Sequence, residues 1–136
     1  KIAEANELEL EVSVQPFDGI WLAPAAGTCD MVASSMTIPA EREEAADFTQ
    51  SYFDAFQSLL VRSADEAKYT TLESLAGKTI AVQTGTTGES FAKENATSST
   101  IQSFYAGSAM YLSLESCQVD GVLQYYLINK ERTDKQ

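Results

Sequence analysis

The sequence predicts an α/β fold with mainly parallel sheets, on the strength of two observations. Short apolar, partly β-branched segments alternate along the chain with helix-forming segments, which is the order of strand–helix–strand units. At the centre, strand-like residues 79–82 lead into the Gly- and Thr-rich turn 83–88, and helix-forming residues begin at Glu89. This succession is typical of parallel sheets, because parallel neighbours need a crossover connection.

The N-terminal half is expected to contribute two strands and two short helices. Residues 8–14 alternate between apolar and polar side chains, which predicts a half-buried strand. A short helix is expected over residues 20–26, followed by a buried strand over residues 29–35. Pro39 then suits the first turn of a helix over residues 40–46.

The C-terminal half carries the clearer signals. Residues 51–62 are expected to form an extended crossover, and the polar residues 63–70 a linker. A helical turn is expected over residues 72–76. The remaining predictions are strands over 57–61, 79–82, 100–104 and 119–124, a helix from Glu89 to about Ala96, an amphipathic helix over 107–117 and a charged helix or frayed tail over 128–135.

Composition excludes several classes of function. The net charge of −11 argues against nucleic acid and against anionic membrane surfaces as partners. The chain has no histidine, so the commonest general base and metal ligand is missing, and no cofactor or metal is expected. Cys29 and Cys117 form no Cys-x-x-Cys motif; they could make one disulfide in an oxidising compartment or remain two buried thiols.

The turn at residues 83–88 is a candidate anion site. Thr86 or Thr87 can cap the following helix, and Glu89 lies close to capping-box spacing. The first N–H groups of a helix have no intrahelical partner and carry partial positive charge, so a carboxylate or another small anion is the expected ligand. The turn lacks the lysine of a nucleotide-binding phosphate loop. An ordinary strand-to-helix turn is the alternative interpretation.

Five short motifs together resemble the solute-binding proteins of polar amino-acid ABC transporters, the family 3 type. They are Phe-Asp-Gly at 17–19, Cys-Asp-Met-Val at 29–32, Glu-Arg at 41–42, Gln-Thr-Gly-Thr-Thr at 83–87 and Gln-Val-Asp-Gly-Val at 118–122. The resemblance covers about residues 8–129. It implies a periplasmic-binding-protein-like fold of two lobes that close on one small amino acid or related carboxylate. The ligand would be delivered to an ABC permease, in the periplasm or outside the cell, with a membrane tether possible in the full-length protein.

The resemblance also implies roles for individual residues. Arg42 would hold the ligand α-carboxylate in a bidentate fork, with Thr37 and the backbone at Ser35 sharing it. The other implied contacts are Thr86 and Thr87 as a clamp from the second lobe and Phe17 stacked on the ligand side chain. Gln83 and Gln124, at strand ends, could line the pocket or be only solvated. Tyr125 stands where the family normally has an aspartate for the ligand ammonium, and a phenol carries no charge at neutral pH.

By the same resemblance, residues 1–52 are a partial first lobe, 53–62 a hinge or crossover strand, and 63–136 the second lobe. The incomplete first lobe would leave a sheet edge open, so pairing with a second chain, strand exchange or weak stability is expected, and a homodimer through that lobe is one form of such pairing. One alternative is a truncated or engineered fragment, as a monomer or a dimer, that binds no ligand tightly. Another is a lyase or dehydratase on the same fold. Such an enzyme would need an acidic residue for proton transfer, and the only candidates are Glu41 in the loop at residues 34–42 and Glu89 directly after the loop at residues 83–88.

Overall fold

A computed structural model describes residues 1–134 and contains one four-stranded mixed sheet in the order β1-β4-β2-β3. Its strands are β1 (Gln57–Leu60), β2 (Thr79–Gln83), β3 (Thr100–Phe104) and β4 (Gly121–Tyr125). The α-helices are α1 (Ile2–Ala5), α2 (Ala40–Glu43), α3 (Thr87–Asn95), α4 (Gly107–Glu115) and α5 (Tyr126–Asp134). Single 3₁₀ turns occupy Ile20–Leu22, Ser63–Asp65 and Glu73–Leu75. No described helix has the length and apolar character needed to cross a membrane.

The sheet topology brings three strand ends together. β2 is parallel to both β3 and β4, whereas β1 pairs with β4 in the antiparallel direction. The carboxyl ends of β2, β3 and β4 therefore lie at one edge of the sheet, where α3, α4 and α5 begin. In open α/β sheets, ligands bind outside the carboxyl ends of the strands.

The core lies on both faces of this sheet because side chains alternate along each strand. In β2, Ile80 and Val82 belong to a cluster on one face, and Ala81 belongs to a cluster on the other. The first cluster comprises Tyr69, Leu75, Ile80, Val82, Ala92, Ala96 and Leu123. The second comprises Ala81, Met110, Tyr111, Leu114, Val119 and Val122. The sheet whose carboxyl ends carry these loops is therefore packed on both faces.

The strand predictions for residues 8–14 and 29–35 are wrong for the described structure. Both segments lack regular secondary structure, and no strand pairs with them within residues 1–134. The apolar side chains of the first segment are largely exposed, from 66% at Leu8 to 93% at Val14. A strand is stable only when its backbone N–H and C=O groups find a neighbour, so the alternating pattern alone was insufficient.

Both predicted helices of this region are shorter than expected. The helix over residues 20–26 is a 3₁₀ turn at Ile20–Leu22. Pro24, which has no N–H to donate, follows this turn. The helix over residues 40–46 is confirmed only as α2, for which Pro39 is the N-cap. α2 nonetheless buries one side chain, Arg42.

The predictions from residue 57 onward are confirmed in kind, with small differences in bounds. β3 has the expected residues, whereas α4 ends at Glu115, two residues early. α5 begins at Tyr126, and the predicted end at residue 135 lies outside the described residues. Cys117 follows α4 with a φ of 61° and is exposed, and Cys29 is half-buried. Both cysteines are free thiols, as one of the two interpretations expected, but neither is buried, so that part of the expectation is wrong.

Candidate functional site

A cavity of about 560 Å³ opens at the carboxyl edge of the sheet. One wall comes from residues 14–42, here called the N-terminal segment, and the other comes from the ends of β2, β3 and β4 and the residues that follow them. The lining residues are Val14, Gln15, Pro16, Phe17, Ile20, Ser34, Ser35, Arg42, Gln83, Thr86, Thr87, Tyr105, Ala106, Gly107, Gln124, Tyr125 and Ile128. The cavity thus lies where the topology predicts a ligand site.

Arg42 is the buried charge of this cavity, with an exposed fraction of 3%. Its Nη1 donates to the carbonyl of Thr37 at 3.1 Å, and its Nη2 donates to the carbonyl of Gly85 at 2.8 Å. The guanidinium also lies over the Trp21 ring, 4.4 Å from the ring centroid. Its Nε is buried without a hydrogen-bond partner among the described residues. A buried donor without a partner is costly, so this N–H is an unused hydrogen-bonding group of the site.

Electrostatics around Arg42 reflect its burial. Desolvation lowers the pKa of the Arg42 guanidinium from its ordinary value, whereas the electrostatic interactions with Tyr125 and Glu41 act in the opposite direction. The Phe17 ring adds a second aromatic face, with its centroid 5.7 Å from the guanidinium carbon. Two aromatic rings can stabilise this cation while its N–H groups remain directed at acceptors.

The start of α3 forms the opposite wall, and its cap is built locally. The Thr86 hydroxyl accepts a hydrogen bond from the Glu89 N–H at 3.1 Å and donates to the Gln83 carbonyl at 2.7 Å. The Ser90 N–H makes a helical bond to the Thr86 carbonyl, so the N–H groups of Thr87 and Gly88 precede the regular ladder. These groups and the helix dipole make the turn favourable for an anion.

Glu89 orders the same turn through a variant of the capping box. Its Oε2 accepts from the Gly85 N–H at 2.8 Å, while its Oε1 accepts from Lys93 at 2.8 Å and from the Ser103 hydroxyl at 2.6 Å. Burial raises the pKa of this carboxyl, but the hydrogen bonds from Lys93, Ser103 and Gly85 together outweigh burial and lower the pKa. Glu89 is therefore committed to structure.

Gly85 brings the N-terminal segment close to the turn. Its φ is 76°, a backbone conformation that residues other than glycine rarely adopt. A Cβ at this position would lie 2.9 Å from the Cα of Asp18. The carbonyl of Gly85 also accepts the hydrogen bond from Arg42. The close approach therefore depends on glycine at this position.

Hydroxyl groups from three parts of the chain meet beside the cavity. The Tyr125 hydroxyl contacts the Thr37 hydroxyl and lies 3.3 Å from the Thr87 hydroxyl. The hydroxyls of Thr37 and Thr87 are 3.4 Å apart. Such groups donate and accept hydrogen bonds without carrying a full charge. This cluster therefore links the two walls of the cavity through polar, uncharged contacts.

A glutamine pair forms the floor at the ends of β2 and β4. The Gln124 Nε2 donates to the Gln83 Oε1 at 3.1 Å, and the Gln124 Oε1 accepts from the Tyr125 N–H at 3.0 Å. Gln124 is buried, with 6% of its surface exposed. The pair fixes the orientation of both amides at the cavity floor.

The structure brings the predicted site residues together. All of them except Thr37 line the cavity, and Thr37 contacts the lining residues Thr87 and Tyr125. Their roles in binding stay a prediction. Sequence reasoning missed the lining residues Tyr105, Ala106 and Gly107, which follow β3. The signal that could have found them is their position after a parallel strand, one step along the sheet from the turn at residues 83–88.

Comparison with known proteins now decides the family. The model of the bacterial extracellular solute-binding proteins, family 3, matches residues 1–134. The chain belongs to this family. The predicted family and the predicted fold class are confirmed, and the family description indicates a periplasmic or extracellular location.

Relatives of this family 3 protein have names that point to amino acids. A probable histidine-binding protein of Campylobacter jejuni is 32% identical over 125 residues, which are 90% of this chain and 47% of the relative. The chain therefore spans about half the length of the curated relatives it matches. A Streptococcus pneumoniae amino-acid ABC transporter substrate-binding protein, solved with L-arginine, has a TM-score of 0.91 and 30% identity, covering 95% of this chain and 54% of its own.

A third similar structure bears on the enzyme alternative. It is an ancestral amino-acid-binding protein described as a precursor of cyclohexadienyl dehydratase, with a TM-score of 0.92 and 29% identity. The alignment covers 97% of this chain and 60% of the ancestral protein. This neighbour is itself a binding protein, as are the Campylobacter and Streptococcus relatives. All three of these similar proteins are therefore described as binding proteins and not as enzymes.

Proposed function

We propose that this chain binds a small amino acid or related carboxylate for delivery to an ABC permease. The observation that carries the proposal is the guanidinium of Arg42, which is 3% exposed, lines the cavity and has an unpaired buried Nε. A buried cation with an unused donor calls for an anionic oxygen. The α3 N-terminus, on the opposite wall, favours the same charge.

Each wall contributes groups suited to a carboxylate. Arg42 is proposed to form charge-assisted hydrogen bonds to it, and Ser35 lines the same wall. The hydroxyl of Thr37 lies beside the lining, in contact with Thr87 and Tyr125. Thr86 and Thr87 are proposed to hold the carboxylate from the α3 side. An arginine and a helix terminus that converge on one cavity suit a small anion better than a neutral ligand.

The rest of the ligand is proposed to lie against the remaining lining. Phe17 offers an aromatic face, and Gln83 and Tyr125 offer uncharged polar groups. We also propose that residues 1–52 belong to one lobe, residues 53–62 to the crossover and residues 63–134 to the other lobe; the last two residues of the predicted second lobe lie outside the described residues. The hydrogen bond between Arg42 and Gly85 joins the first and last of these parts across the cavity.

Self-association of this chain is a second candidate property. Leu8, Leu10, Val12 and Val14 are 66%, 69%, 73% and 93% exposed, and they recur at every second position. A segment that alternates apolar and polar residues and has no strand partner in the described chain is a template for strand pairing. Light scattering tests the homodimer proposal: a monomer at all concentrations contradicts it, and a Leu10→Lys variant is expected to weaken the dimer.

The binding proposal is tested by calorimetry with the common L-amino acids and with carboxylic acids that lack the amine. Arg42→Gln is expected to weaken the tightest of these ligands by roughly 30-fold or more, because removal of one partner of a buried charge pair costs about 2–5 kcal/mol. Lys130→Gln is the matched control, because it removes one positive charge as Arg42→Gln does. Lys130, however, belongs to an exposed ion pair with Asp134 and does not line the cavity.

The outcomes separate a binding role from a structural one. Equal affinities of the Arg42→Gln and Lys130→Gln proteins would refute the carboxylate clamp. Since Arg42 also bonds to the carbonyls of Thr37 and Gly85, circular dichroism must show that the variant is folded. Thr87→Val provides a second test that leaves Arg42 intact, and it is expected to weaken binding about tenfold through loss of one hydrogen bond to a charged group.

A further inference from the structure

The cavity has an unusual balance of charge for a protein with a net charge of −11. Arg42 is the only ionised side chain among its described lining residues, and none of them is aspartate or glutamate. The other polar lining groups are hydroxyls and amides, which carry no full charge. Two helices, α3 and α4, also begin at the cavity wall with Thr87 and Gly107. All of the formal charge on the described lining is therefore positive.

Acidic groups near the cavity are engaged elsewhere or lie outside its lining. Both oxygens of Glu89 accept hydrogen bonds, from Gly85 on one side and from Lys93 and Ser103 on the other. Asp18 packs against Gly85 and is exposed, and Glu41 is exposed on α2. None of the three lines the cavity. An ammonium group in the cavity would therefore meet no carboxylate of the described lining.

We propose that this cavity selects carboxylates that carry no ammonium group over the corresponding amino acids. The inference rests on the proposed function, since it concerns the ligand of the same site. A ligand ammonium would lose its water and would lie near the buried guanidinium of Arg42, and both effects disfavour the charged form. The hydroxyl of Tyr125 offers such a group one uncharged acceptor. Oxo acids, hydroxy acids and unsubstituted acids avoid this loss.

Matched pairs of ligands test the inference on the intact chain. The probes are L-glutamine against glutaramate, and L-arginine against 5-guanidinopentanoate, because each pair differs only in the α-amine. Calorimetric titration is expected to give a dissociation constant for each amine-free acid that is smaller by about tenfold or more. Agmatine, which keeps the guanidinium and amine of arginine but lacks the carboxylate, is expected not to bind.

Three results would contradict one or both of the proposals. If an amino acid binds as tightly as its amine-free partner or more tightly, the inference fails while the carboxylate site of the proposed function stands. If agmatine binds as well as the two acids, the proposed function fails. If no probe binds and the full panel of carboxylic acids also fails, both are overturned.

Substitution of Tyr125 provides an internal check on the electrostatic cause. Tyr125→Asp places a carboxylate in the cavity lining, and Tyr125→Asn is its uncharged control of the same size. The affinity ratio of amino acid to amine-free acid is expected to shift about tenfold towards the amino acid in the aspartate variant relative to the asparagine variant. An unchanged ratio in two folded variants would show that charge does not set the preference.

Discussion

Replacement of Gly85 by alanine tests how the N-terminal segment is held against the sheet. The residue has a φ of 76°, and the added Cβ would lie 2.5 Å from Asp18 Oδ1, 2.9 Å from Asp18 Cα and 3.2 Å from Asp18 Cβ. A side-chain rotation could relieve the clash with Oδ1. The same rotation leaves the α-carbon of Asp18 in place, because that atom moves only with the backbone. Gly85→Ala therefore requires the N-terminal segment to shift away from the turn.

The magnitude has two parts. An alanine in the left-handed region costs about 1–2 kcal/mol. Insertion of a methyl group into a tightly packed site adds typically about 1–3 kcal/mol. Gly77 separates these parts, since its φ is 72° and a Cβ there meets nothing within 4 Å. We expect Gly77→Ala to lower the free energy of unfolding by about 1–2 kcal/mol and Gly85→Ala by about 2–5 kcal/mol.

Urea denaturation with two probes measures this difference. Trp21 is the only tryptophan of the chain, and its ring lies 4.4 Å from the guanidinium carbon of Arg42, so its fluorescence reports the N-terminal segment. Far-ultraviolet circular dichroism reports mainly the helices around the sheet. In Gly85→Ala, the fluorescence transition is expected at lower urea than the circular dichroism transition, because the segment detaches first.

A particular result would refute this reasoning. If the two alanine variants differ by less than about 0.5 kcal/mol, the approach of Asp18 to the turn contributes nothing to stability. If both probes shift together in Gly85→Ala, the segment and the sheet unfold as one cooperative unit.

Three further predictions concern the cap and the titrating groups. Thr86→Ala should lower stability by about 1 kcal/mol in urea denaturation, whereas Thr86→Ser, which keeps the capping hydroxyl, should cost much less. Folding lowers the pKa of the Glu89 carboxyl, so its contribution to the free energy of unfolding is present above the ordinary pKa of 4.5 and is lost as the pH falls through the pKa of the folded state. The difference in stability between the parent protein and Glu89→Gln should therefore vanish in acid. Burial raises the pKa of Tyr111 from 10.0 to about 12, and its hydroxyl donates to Asn129. The free energy of unfolding should therefore fall between pH 10 and about pH 12, because the phenol ionises more readily in the unfolded chain. Tyr111→Phe should reduce that fall by on the order of 1–2 kcal/mol.

Local signals in the sequence determined the C-terminal half and its cap. β2 and β3 follow from short β-branched segments, and the start of α3 follows from Thr86 and Glu89, which satisfy backbone groups within a few residues of themselves. The resemblance of five motifs also led to the correct family. These properties depend on neighbours in the chain, or on motifs that can be recognised without a structure.

Contacts between distant residues were decided only by the tertiary structure. The alternation of residues 8–14 was correct as a pattern, yet a strand also needs a partner, and none lies beside it in the described chain. Arg42 is flanked by glutamates in the sequence, yet it is buried, and its guanidinium donates to the carbonyl of Gly85, 43 positions away. The charge of the cavity is likewise a sum over side chains from both walls. The net charge of the cavity cannot be read from any local stretch of sequence, because only the fold brings its lining residues together.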